Sequence, residues 1–271
     1  MPAALRGPQA PSARRASPRR APRPLTGTPP PGLVQGPDPA RRPPVTEFAP
    51  HEFWQHIYAP GHFDTSGDHD GLFPAELPDG HQLALPIREL PGGEGLGVAS
   101  LIVTQASFAV EEELIAAMAG HASAMGAERI VGVPTLGLPL AHGVARALGH
   151  RRYVALGTSR KFWYEERYSE PMSSITSPEQ QKRLYVDPRM LPLLAGRRVV
   201  VVDDVVSSGR SLAATLRVLA RAGCIPVGVT VAMIQTRRWE ETVHADWAGP
   251  VRAAFETPLL RRTPEGRWRP A

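Results

Sequence analysis

The segment Arg198–Leu212, RVVVVDDVVSSGRSL, carries the reading of the whole chain. Four successive valines, Val199 to Val202, show no polar alternation, the pattern of a strand buried on both faces of a parallel sheet. Two acids, Asp203 and Asp204, follow at once. A small hydroxyl-rich turn comes next, and then a helical pattern from Arg210 to Ala222 that stops at Gly223. Two carboxylates at the end of a buried strand are costly unless something meets them. The C-terminal ends of parallel strands are also where ligands bind in open α/β sheets. The turn Val205 to Ser211 offers backbone N–H groups, three hydroxyls (Ser207, Ser208, Ser211) and a helix N-terminus, a set suited to phosphate. Acids beside such a cradle suit a ligand that carries both hydroxyls and a phosphate, as a ribose 5-phosphate does.

The pattern continues in both directions. Arg129 to Val133 is a short apolar strand, 138–149 a helix ending at Gly149, and Arg152 to Leu156 a strand. Ile225 to Met233 is a further strand. Upstream, Ser107 can cap a helix over about 110–126, with Glu111, Glu112 and Glu113 complementing its dipole. Gln82 to Leu90 and Ala99 to Thr104 read as strands. Strands alternating with helices of this length give an α/β fold, a largely parallel sheet flanked by helices.

The segment 199–211 resembles the diphosphate-sugar (PRPP) signature of the type I phosphoribosyltransferase family: an apolar run, two acids, two apolar residues, then a small-residue loop. The match falls on Asp203, Asp204, Ser208, Gly209 and Ser211. The resemblance implies a Rossmann-like parallel sheet with a small N-terminal hood and a mobile β-hairpin lid. It implies that Asp203 and Asp204 hold the ribose hydroxyls, directly or near Mg²⁺, which they would meet either directly or through water. Val206, Ser207, Ser208, Gly209, Arg210 and Ser211 would then hold the 5-phosphate. VGVPTLGLPL, Val131 to Leu140, resembles the family's pyrophosphate loop at Thr135, Leu136 and Gly137. Many members carry Arg or Lys where Leu136 stands, so binding there must rest on backbone amides and other cations.

Between these loops lies Thr158 to Asp187, polar and without helical period, where the family carries its lid. Arg160 and Lys161 stand at its start, where relatives place cations that meet the pyrophosphate. Phe162 and Trp163 either stack on a planar base or pack the hairpin. The 6-oxopurine members place an Asp three residues after the second acid; here that position is Ser207. Adenine-, xanthine- and orotate-type members lack that Asp, so the departure argues against a hypoxanthine–guanine type and leaves the other bases open.

The chain has 271 residues and a net charge of +5. The charge is unevenly spread. Residues 1–45 hold eight arginines, one acid (Asp38) and 13 of the 30 prolines, which predicts a disordered tail. The rest carries 23 Lys plus Arg against 25 acids, so no specific nucleic-acid partner is expected. The tail reads as inert or a misassigned start, with a transit peptide or basic arm as the alternatives. No run of 18 apolar residues is present, so no membrane span is expected. The single cysteine, Cys224, excludes a disulfide framework and reads as a small core residue.

The expected organisation is a tail (1–45), a phosphoribosyltransferase-like domain (46–258, with the hood over 46–80 and the lid over 158–187) and a basic C-terminal tail (259–271). The hood stretch GHFDTSGDHDG, with His62, Asp64, Asp68, His69 and Asp70, is either a metal site or a solvated polar loop. By resemblance the chain is a cytoplasmic, homodimeric, Mg²⁺-using enzyme of nucleotide salvage. It would exchange the pyrophosphate of PRPP for a nitrogen of a nucleobase-like acceptor. A PRPP-binding regulator without catalysis, or transfer to a non-base acceptor, stands as the alternative.

Overall fold

The computed structural model describes residues 48–174 and 177–271; the expected tail over 1–45 lies outside them. In chain order the strands are β1 (Ile57–Tyr58), β2 (Leu72–Glu76), β3 (Gln82–Glu89), β4 (Leu96–Ala99), β5 (Arg129–Gly132), β6 (Val154–Ala155), β7 (Ser169–Ser174), β8 (Ser177–Tyr185), β9 (Val199–Val206), β10 (Gly228–Gln235), β11 (Val251–Thr257), β12 (Leu259–Arg262) and β13 (Trp268–Pro270). The helices are α1 (Phe108–Ala124), α2 (Gly137–Ala147), α3 (Leu191–Leu194), α4 (Arg210–Arg221) and α5 (Trp239–His244).

A five-stranded sheet runs β11-β10-β9-β5-β6 with every pair parallel. Its valine-rich centre divides by parity, as a strand's period of two requires. Val200 and Val202 of β9 join a core with Leu114, Leu140 and Val144 from α1 and α2. Val199 and Val201 join another with Leu212, Leu216 and Leu219 from α4. Helices on both faces therefore explain the unbroken valine run. Chain order reverses between β5 and β9, which makes their C-terminal ends the switch point of the sheet, the usual ligand crevice.

A second, antiparallel sheet runs β1-β3-β4-β12-β13, with β2 paired to β3. This corrects the expectation of a C-terminal tail: residues 259–271 supply two strands. Leu260 and Trp268 are buried, and the Trp268 indole lies flat on Gly97, where a Cβ would stand 2.6 Å from Cζ3. The second strand expected upstream is also displaced. It runs over Leu96–Ala99, and Val103–Gln105 is a single 3₁₀ turn. The turn through Gly92, Gly93 and Gly95 folds β4 back on β3, so pairing starts earlier than the apolar run suggested.

Other elements keep close to their expected limits. Ser107 caps α1, its hydroxyl accepting the Val110 N–H at 3.3 Å. Strand β9 is longer than expected and carries both acids within it. Within 158–187, β7 and β8 pair as an antiparallel hairpin. Among the described residues no helix is long and apolar enough to cross a membrane.

Candidate active site

Two loop–helix junctions meet at the switch point. After β5, the chain turns through Pro134, Thr135 and Leu136 into α2; the Pro134–Thr135 peptide is cis. After β9, Ser207, Ser208 and Gly209 lead into α4. Gly209 takes φ +78°, a left-handed conformation that a side chain would strain, and it lies against the Trp239 backbone. Neither helix start has a side-chain cap. Apart from the Leu138 N–H, which donates to the Thr135 carbonyl at 3.4 Å, each therefore leaves N–H groups of its first turn and the positive end of its dipole available to an anion. Ser207, Ser208 and Ser211 are half-buried beside the second junction, Val206 is buried and Arg210 is exposed.

The acids stand between these junctions. Asp203 is 6% exposed and Asp204 half-buried. The Asp204 N–H donates to Asp203 Oδ1 at 2.9 Å. Burial, and then the neighbouring Asp204 carboxylate, push the Asp203 carboxyl well above the usual range; burial also raises Asp204. Among the described residues no cation offsets either shift. Gly137, the first residue of α2, packs directly on Asp203, so the first junction and the acid pair are in contact.

The donor set suits Mg²⁺. Two adjacent carboxylates with no internal counter-ion match a hard cation that takes oxygen ligands and completes its shell with water and substrate. No cluster of three His, Cys, Asp or Glu capable of holding a metal exists among the described residues.

The family model described as phosphoribosyl transferase domain matches residues 112–257, from the first turns of α1 to the end of β11. The chain belongs to this family. It is a phosphoribosyltransferase of the kind that includes the following relatives. An adenine phosphoribosyltransferase of Frankia casuarinae is 31% identical over 168 residues, covering 62% of this chain and 83% of that protein. The bifunctional protein PyrR of Synechocystis is 27% identical over 142 residues, covering 51% of this chain and 75% of that protein. A solved adenine phosphoribosyltransferase from Giardia lamblia, complexed with 9-deazaadenine, aligns with a TM-score of 0.49 and 18% identity, over 63% of this chain and 93% of that one.

In this phosphoribosyltransferase Arg160, Lys161, Phe162 and Trp163 make their observed contacts within or next to the hairpin segment, away from the acid pair in sequence. Arg160 and Lys161 are exposed at the start of the hairpin segment. Arg160 lies 4.0 Å from Glu166, and the Lys161 carbonyl accepts the Tyr164 N–H. Phe162 is 97% exposed. Trp163 is engaged at the base of its segment: the Arg189 guanidinium, just beyond it, lies 4.6 Å from the ring centre, and Trp163 hydrogen-bonds Asp187. Thr135 is exposed and Leu136 half-buried.

The sequence reading missed α5 and β11. Both are short, six and seven residues, too brief to show a clear period. Their ends border an open cleft of about 620 Å³ lined by residues that include Thr236, Arg238, Glu241, Thr257 and Leu259. Thr236, at φ +67°, is buried in its wall. The acidic stretch of the hood has protein partners: Arg267 reaches Asp70 at 3.0 Å and Arg269 reaches Asp68 at 2.8 Å. Nothing local in the sequence links those arginines to residues 200 positions earlier. Cys224 is buried among apolar neighbours, which push its thiol up to about 11.

Proposed function

We propose that this phosphoribosyltransferase binds PRPP with Mg²⁺ and transfers its 5-phosphoribosyl group to a nucleobase nitrogen. The observation that carries the reading is the pair of uncapped helix N-termini on either side of an uncompensated, buried acid pair. Two anion sites around two carboxylates match a sugar with a phosphate at one end and a pyrophosphate at the other. In this reading Ser207 to Ser211 receive the 5-phosphate. Backbone amides of Thr135 to Gly137, with Arg160 and Lys161, receive the pyrophosphate, and Asp203 and Asp204 face the ribose hydroxyls.

The reaction breaks the C1–O bond to pyrophosphate and forms a C1–N bond to the acceptor. Positive charge develops on the sugar as the leaving group departs. Mg²⁺, when bound, would neutralise charge on the pyrophosphate and ribose oxygens. The protein's own work is to hold both anionic ends, keep two negative charges beneath the sugar and exclude water.

For the acceptor, Ser207 lacks the acid expected of a 6-oxopurine enzyme, and several of the relatives carry the name adenine phosphoribosyltransferase. Adenine is therefore the first acceptor to try. The test incubates the protein with PRPP, Mg²⁺ and a panel of purines and pyrimidines, and reads pyrophosphate release. A thermal scan alongside should show stabilisation of about 2.7 kcal/mol with PRPP at 100 times its dissociation constant. Neither release nor a shift would overturn the reading. A shift without release would reduce it to a binding protein.

A further inference from the structure

The hairpin is tied to helix α4 by a buried carboxylate that the proposed chemistry does not use. Glu170, on β7, is 8% exposed. Arg217 Nε donates to its Oε1 at 2.6 Å, and the Arg221 guanidinium lies 2.8 Å from its Oε2. Arg217 and Arg221 are one helical turn apart, so they share a face of α4; Arg217 hydrogen-bonds Oε1, while Arg221 pairs with Oε2 by charge, without hydrogen-bond geometry. Arg221 also donates to the Ser169 carbonyl at 3.2 Å.

The contacts continue away from α4. Ser169 Oγ accepts from Arg183 of β8 at 2.8 Å and donates to the Glu166 carbonyl at 2.7 Å. Arg183 meets the Glu166 carboxylate at 2.7 Å, and the other oxygen of that carboxylate stands 4.0 Å from Arg160. A chain of polar contacts thus runs from the C-terminal half of α4 to Arg160, its last link a loose 4.0 Å ion pair between two exposed side chains. Buried charges of this kind are weak devices for stability, because desolvation offsets most of the attraction. The Arg217 contact is specific in geometry, however, since a charge-assisted hydrogen bond fixes that guanidinium against one carboxylate oxygen.

We propose that Glu170 is a positioning residue. It locks the base of the β7–β8 hairpin to the phosphate-loop helix, and so sets where Arg160 stands relative to the diphosphate substrate. This rests on the reading of the site as a PRPP site. A purely structural Glu170 would affect melting alone. A positioning Glu170 affects PRPP in particular, because the chain of contacts ends on Arg160, which this reading of the site sets against the pyrophosphate.

The experiment measures PRPP affinity by calorimetry with Mg²⁺, separately from KM for the acceptor and from melting temperature, in wild type, Glu170→Gln and Arg217→Gln. Arg217 is about half-exposed, so its variant folds even where Glu170→Gln does not. The expected result is at least a tenfold weaker PRPP affinity in each folded variant, with the acceptor KM changed less than threefold. Arg217→Lys, which keeps the charge, should recover part of the loss. Lower melting with unchanged PRPP affinity would overturn the inference and leave the site reading intact. Wild type that fails to bind PRPP would overturn both.

Discussion

Gly137 at the start of α2 stands so close to Asp203 that a Cβ on it would lie 2.8 Å from both the Asp203 Cα and its Oδ1, and 3.1 Å from the Val202 carbonyl. Two of these three neighbours are backbone of the central strand, which cannot move aside. Gly137→Ala should therefore either unseat α2 or push Asp203 out of place. Overpacking of this kind costs about 1–3 kcal/mol. Turnover should fall at least tenfold, because the loop and the acid are displaced together. Gly120→Ala on α1 is the control: a Cβ there meets nothing within 4 Å, and helix propensity favours Ala by about 0.5–1 kcal/mol. Melting and pyrophosphate release of both variants check the prediction.

Asp203→Asn keeps the shape of the side chain and removes its charge. It should lower kcat and kcat/KM together, by roughly 10²–10³, as loss of one electrostatic contact made in the transition state does. The ligand-free fold should melt higher than wild type, since a buried carboxylate with no counter-ion opposes folding. Near-wild-type turnover would remove Asp203 from the catalytic machinery.

The same pair predicts a pH dependence. Its carboxyls are raised in the fold above their unfolded values. A raised acid contributes stability that is present below the unfolded value, about 3.9, and is lost as pH rises through the folded value. Ligand-free wild type should therefore fall further behind Asp203→Asn as pH increases. Stabilisation by Mg²⁺ with PRPP should run the other way and grow with pH, because oxygen ligands must lose their protons first. Melting scans across pH 4–8, with and without ligand, test both slopes. Parallel curves for wild type and variant would count against the raised carboxyls.

Trp268→Ala should cost about 3–5 kcal/mol, the usual range for emptying a buried aromatic site. The ring fills the space over Gly97, and its backbone bonds both ways to His69, at 2.7 Å each. Removing residues 259–271 should be at least as damaging, because β12 pairs with β4 as well as β13. Denaturant unfolding measures both. A truncated chain as stable as the full one would show that the antiparallel sheet holds without its last two strands.

The sequence by itself determined what is local. A strand buried on both faces, an acid pair, a small-residue turn and a helix follow one another within 198–221, and each reads from its own neighbours through period, propensity and capping. The alternation of such units was enough for a parallel α/β sheet, and the 199–211 motif was enough for the family. Tertiary structure decided what depends on residues far apart in the chain. Gly137 meets Asp203 only because β5 lies beside β9 in the sheet. Glu170 meets Arg217 and Arg221 only because the hairpin folds onto α4. The arginines near the chain end looked like a solvated tail until β12 and β13 brought them to Asp68, Asp70 and Glu89. Strand pairing at the edge of an antiparallel sheet depends on backbone hydrogen bonds to a distant partner, and short strands such as β12 and β13 leave too few side chains to carry a period that would announce it.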